Sequence, residues 1–143
     1  MKAQISLELL ITFGLVLAFV IPLILLLFSV SQLGYEASTI TQAEAAAKTL
    51  ADNINELFVQ GVGAKKTIIV AFPINMQSLS ISGKEVVITL KTSNGNYEAI
   101  SPIFANAVIT NQNLLNNKAG LLSIGLQTRY TANGNVEVEP IYL

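Results

Sequence analysis

The chain reads as an α+β protein in which one long N-terminal helix precedes a small antiparallel β head. Three observations predict it. An uncharged run extends from Leu9 to Tyr35. A helical spacing of apolar residues continues from Ile40 to Leu57, and an alternating pattern with Asn-Gly punctuation takes over from about Lys65.

The first part of the helix has the composition of a membrane segment. Leu9 to Val30 consists of Leu, Ile, Val, Phe and Ala interrupted only by Thr12, Gly14, Pro22 and Ser29. About 20 such residues cross the hydrocarbon core of a bilayer. A cleaved secretory signal would need a shorter apolar stretch of roughly 7 to 15 residues with a small-residue cleavage site after it. Here the run is longer and is followed by Ser31-Gln-Leu-Gly-Tyr-Glu36, without such a site. The small residue beside a basic one, Ala3 after Lys2, lies before the apolar stretch, so any cut falls upstream and the helix is kept. Lys2 precedes the span, while Glu36 is the first charge after it, which favours a cytoplasmic N-terminus and an external C-terminal region. Pro22 removes a helical donor and crowds the Ala18 carbonyl, predicting a kink or loosened turn there, although membrane helices tolerate proline.

Glu8 sits at the mouth of this segment within Gln4-Ile-Ser6-Leu-Glu8. A carboxylate at the edge of lipid is costly and calls for a partner. The plain alternative is a helix N-terminal charge complementing the macrodipole, an effect of about 0.3 to 1 kcal/mol.

Leader, motif and apolar helix together resemble archaeal type IV pilin-like proteins with a class III signal peptide, defined by the pattern Q-x-S-x-E. Gln4, Ser6 and Glu8 match it. The resemblance covers about the first 30 residues and implies that a prepilin-type membrane peptidase cuts between Ala3 and Gln4, leaving Glu8 as the fifth residue of the mature chain. The leader is shorter than most in the family, with Lys2 as its sole basic residue. The resemblance further implies a membrane-inserted precursor, an assembly ATPase with its membrane platform, and a homopolymer displayed as an extracellular surface filament. In that filament Glu8 meets the new amino group of Gln4 on a neighbouring subunit and sets axial register. Cyclisation of Gln4 would delete that amine and leave Glu8 needing another donor or a proton.

From Tyr35 the helix becomes amphipathic. Ile40, Ala43, Ala47, Leu50, Ile54 and Leu57 fall on one stripe; Glu44, Lys48, Asp52 and Glu56 lie four apart on another face, with Glu44 and Lys48 the favourably oriented pair. Gly61 and Gly63 stop the helix. Helix from about Ile5 to Gln60, at a rise of 1.5 Å per residue, makes a rod of roughly 85 Å. The expected organisation is a leader at 1–3, an apolar helix at 4–34, its amphipathic continuation at 35–62 and a β head at 64–143.

In the head, Ile68-Val70-Phe72, Leu79-Ile81, Val86-Ile88-Leu90 and Leu122-Ile124-Leu126 alternate with polar or small residues. They predict an antiparallel sheet or small sandwich of about five to seven strands folded over the amphipathic half of the helix. Asn94-Gly95 and Asn133-Gly134 predict type I′ hairpins, and Ser82-Gly83-Lys84 another tight turn. A head of about 80 residues is marginal by burial alone, so the helical stripe is expected to complete its core. The Asn-rich stretch from Asn111 to Lys118 reads as a solvent loop.

The inventory excludes several function classes. With no cysteine and no histidine, the chain lacks disulfides, thiolate metal sites and Ser-His or Cys-His catalysis. A net charge of -1 gives no basic excess for nucleic acid. Glu137 and Glu139 are two carboxylates where a calcium site needs six to eight oxygens. Gly61-Val-Gly63 lacks the Lys-Ser/Thr of a phosphate loop, and no Asn-x-Ser/Thr acceptor occurs. The expectation is a non-enzymatic structural subunit without cofactor. A minor pilin or membrane-anchored adhesin, whose head binds a ligand, is the alternative.

Overall fold

The computed structural model describes residues 2–82, 84–107, 116–130 and 136–142, with side chains over 7–81, 84–107 and 116–130. Among the described residues one helix, α1 (Lys2–Gln60), is followed by seven strands: β1 (Lys65–Phe72), β2 (Met76–Ser82), β3 (Glu85–Thr92), β4 (Gly95–Pro102), β5 (Asn106–Ala107), β6 (Gly120–Tyr130) and β7 (Val136–Tyr142). The α+β class is therefore observed. The chain divides into two compact units, Met1–Ala37 and Ser38–Leu143.

In the first unit α1 continues through Pro22 without interruption. Its internal polar groups are turned back on the backbone: the Thr12 hydroxyl donates to the Glu8 carbonyl at 2.7 Å and the Ser29 hydroxyl to the Leu25 carbonyl at 3.1 Å. Such bonds to the residue four positions earlier let hydroxyls sit in an apolar environment without a solvent partner.

The second unit holds the core. Ala43, Ala47, Leu50, Ile54 and Leu57, the stripe expected from sequence, are buried, and Ile40 packs partly buried at its end. Ala46 and Ala51 are buried as well, so the apolar face is broader than the spacing alone suggested. These residues share one cluster with Ile68 and Val70 of β1, Leu79 of β2, Ile88 and Leu90 of β3, Ala99 of β4, and Ile124 and Leu126 of β6.

Two sheets supply those strands, in the orders β1-β6-β7-β5 and β2-β3-β4. Inward and outward residues alternate, as in β1, where Ile68, Val70 and Phe72 are buried while Thr67, Ile69 and Ala71 are exposed. Pairing is antiparallel apart from β5, which joins β7 in parallel through Asn106↔Glu137 and Ala107↔Val138. A strand of two residues carries no readable period, so the sequence does not mark this short parallel addition to an otherwise antiparallel head.

Helix termination follows the glycines. Gly61 and Gly63 both have φ of 89°, a left-handed conformation that glycine adopts without a Cβ penalty. Buried Thr128 of β6 secures this end: its hydroxyl lies 2.6 Å from the Gly61 carbonyl and 3.2 Å from that of Ala64. Its backbone N–H donates to the Ala64 carbonyl at 3.0 Å, and its carbonyl accepts from Gly63 N–H at 3.3 Å. Backbone groups in the turn just past the helix end thus find partners.

The β3–β4 hairpin differs from the type I′ turn that Asn94-Gly95 suggests. Thr92 pairs with Gly95, so Ser93 and Asn94 form the turn. Gly95 has φ of 120°, whereas Asn117 is the one described non-glycine residue with positive φ. With neither centre residue at positive φ, the turn is not type I′; the positive φ falls instead on Gly95, the first residue of β4. The Asn133-Gly134 turn, and residues 111–115 of the Asn-rich stretch, lie outside the described residues; β6 and β7, which flank Asn133-Gly134, do pair antiparallel, with Tyr130 opposite Val136. Gly83 of the third expected turn is likewise outside, although Ser82 pairs with Glu85.

Candidate functional site: the exposed apolar helix

Residues 7–35 are all exposed, including every large apolar residue from Leu7 to Leu33; exposure runs from 39% at Val20 to 76% at Phe28. The exposed apolar residues include Leu25, Leu26, Leu27 and Phe28, four in succession, which occupy all sides of a helix. A helix apolar on every side is stable only when surrounded by lipid or by other protein. The segment is long and apolar enough to cross a membrane.

The residues of the Q-x-S-x-E pattern lie at the start of α1. Ala3, Gln4 and Ser6 are within the helix. The Glu8 side chain is exposed and its carbonyl accepts from Thr12. With α1 beginning at Lys2, Glu8 lies beyond the first turn, which contains no acid. The macrodipole effect fades within that turn, so it is a weak account of Glu8 in the untrimmed chain. Pro22 lies inside the helix, where its missing N–H leaves the Ala18 carbonyl without its usual donor.

The polar face of α1 is wired differently from the simple four-residue ladder. Lys48 pairs with Asp52 at 3.5 Å, and Glu56 pairs with Lys66 of β1 at 2.6 Å. Glu44 accepts a hydrogen bond of 2.7 Å from the Tyr97 hydroxyl on β4. That hydrogen bond, with desolvation and the carboxylate's charge adding in the same direction, raises the Tyr97 phenol above its ordinary value of 10.0. On the same helix, Asn55 Oδ1 accepts from the Phe104 N–H at 3.0 Å, and the Phe58 and Phe104 rings meet edge to face with centroids 6.4 Å apart. These links fasten α1 to both sheets. Tyr97, Asn55 and Thr128 carry no sequence signal of their own, since each partner lies tens of residues away.

Among the described residues there is no group of three or more acidic, histidine or cysteine side chains placed to hold a metal. Comparison with protein-family models, with curated proteins and with solved structures gives no match.

Proposed function

We propose that the chain is a structural subunit of an archaeal type IV pilus-like surface filament serving adhesion or surface attachment. It is inserted in the membrane with its N-terminus in the cytoplasm, trimmed before Gln4, and polymerised through the apolar part of α1. The observation that carries this reading is the all-round exposure of the large apolar residues from Leu7 to Leu33 on a helix whose other end is built into a folded head. A bilayer and a bundle of identical helices both satisfy that surface. Lipid and a helix bundle are similarly apolar, so transfer between them is nearly neutral, whereas exposure to water is prohibitive. The Q-x-S-x-E match of Gln4, Ser6 and Glu8 supplies the processing step. The partners that follow are a prepilin-type peptidase, an assembly ATPase with its platform, and copies of the chain itself.

Isolating surface filaments and weighing their subunit tests the proposal. The expected result is this chain as the bulk component, lighter by Met1 to Ala3. Retention of Met1 contradicts the processing step, and recovery only from membranes favours an anchored adhesin. Glu8→Ala is expected to insert normally but to lower filament yield, because two charges that neutralise each other in an apolar filament fix register more than they add stability. Unchanged yield reduces Glu8 to a helix-end charge.

A further inference from the structure

We infer that neighbouring heads join edge to edge, β1 of one copy against β4 of the next, so that the polymer is held by backbone pairing outside its helical core. This rests on the filament reading and names the second contact that such a filament uses.

Of the four sheet edges among the described residues, two are guarded. β5 is only two residues long, and β2 receives the Asn117 N–H on its Gln77 carbonyl at 3.1 Å. The other two, β1 and β4, have eight residues each and end their sheets. Long uncovered edges invite pairing with another chain. Both flank α1 without being covered by it. A groove of about 280 Å³ opens beside β1 between Ala45, Thr49, Ile69 and Ala71, and one of about 460 Å³ opens beside β4 between Glu44, Lys48, Tyr97 and Ile100. Apolar side chains point outward on both strands: Ile69 is 69% exposed and Ile100 is 56% exposed.

Strand direction makes these two edges fit. Lys66 near the start of β1 reaches Glu56, and Ala71 near its end shares a groove with Gln42 and Ala45, so β1 runs against α1. Tyr97 near the start of β4 reaches Glu44, and Phe104 just beyond its end reaches Asn55, so β4 runs along α1. Copies sharing one axial orientation therefore present β1 to β4 in the antiparallel sense, the more stable pairing. The contact is heterologous, using two different surfaces, and repeats as an open helix.

Charge selects the same partner. With Lys66 taken by Glu56, Lys65 remains on the β1 margin without an ion pair among the described residues. On the β4 margin the two carboxylates Glu44 and Glu98 outnumber Lys48, whose ammonium also pairs with Asp52. Unlike margins attract while β1–β1 and β4–β4 approaches set like charges together, which disfavours the wrong pairings.

Because the chain has no cysteine, single cysteines report the contact directly. Adjacent strands lie about 4.8 Å apart, within the roughly 4.4 to 6.8 Å that a disulfide bridges between Cα atoms. Full-length I69C is co-expressed with N96C, E98C or I100C, all at exposed positions, and filaments are oxidised. The expected product is a disulfide dimer between I69C and at least one of the β4 variants, with none from any variant alone. Adding K65E to the I69C chain is expected to lower the yield about two- to fivefold, the range for an exposed charge pair. Filaments that form but give no mixed dimer, or that link I69C to itself equally well, overturn the edge pairing and leave the polymer standing. If the unmodified chain forms no filament, the assembly reading falls and the edge contact with it.

Discussion

At Tyr97 a single hydroxyl couples head stability to alkaline pH. The Glu44 carboxylate accepts its proton at 2.7 Å, which raises the phenol above 10.0 in the folded state. A raised folded value means that the folded form holds the proton more tightly than the unfolded chain. The contribution is therefore complete below pH 10.0 and is lost as pH rises through the folded value. Melting followed between neutral and strongly alkaline pH is expected to show a small extra loss in the parent that Tyr97→Phe lacks. Equal slopes in the two proteins would remove the hydrogen bond from the account. The sequence showed Glu44 only as a neighbour of Lys48, and nothing local to residue 44 signals a tyrosine 53 residues away.

At the scale of elements, burial separates residues that composition treats alike. Ile54 is fully buried within the shared core, whereas Val59, five positions later on the same helix, is 75% exposed. Ile54→Ala is expected to cost the head about 2 to 5 kcal/mol, through lost burial and the cavity left behind. Val59→Ala is expected to stay within about 0.5 kcal/mol, as surface changes do. Denaturant titration of both variants checks the contrast, and similar costs would mean that the stripe is misplaced. This stripe, the alternating strands and the glycine stop were legible because each rests on a local period or a backbone preference. Which strands share a sheet was not legible, because it is set by which strand edges meet after the chain has folded. Neither was the Ser93-Asn94 turn, since Asn-Gly permits two hairpin geometries and strand register chooses between them. Of the candidate site, the apolar run and the Gln4-Ser6-Glu8 pattern could be read directly, while the open edges of β1 and β4 appear only once topology is known.

At the scale of the whole molecule, the two halves of α1 belong to different environments. The compact unit that contains the head begins at Ser38, and among the described residues the apolar core draws on none before Ile40. Thr39 is also buried and its hydroxyl accepts from the Asn75 amide at 3.4 Å, so the head needs the helix from about that point onward. Removing residues 1–34 takes away the surface that water cannot tolerate and keeps every core residue. The expected product is a soluble, cooperatively melting head with the helical and strand signals of residues 35–143. It is monomeric at low concentration, because edge pairing without the apolar helix lacks the other half of its contact area. Circular dichroism and sedimentation measure both properties. An unfolded product would show that the head depends on its apolar extension for more than anchorage. A folded but strongly self-associating product would mean that the open edges alone suffice for assembly, leaving the apolar helix as an anchor and not as the polymer's core.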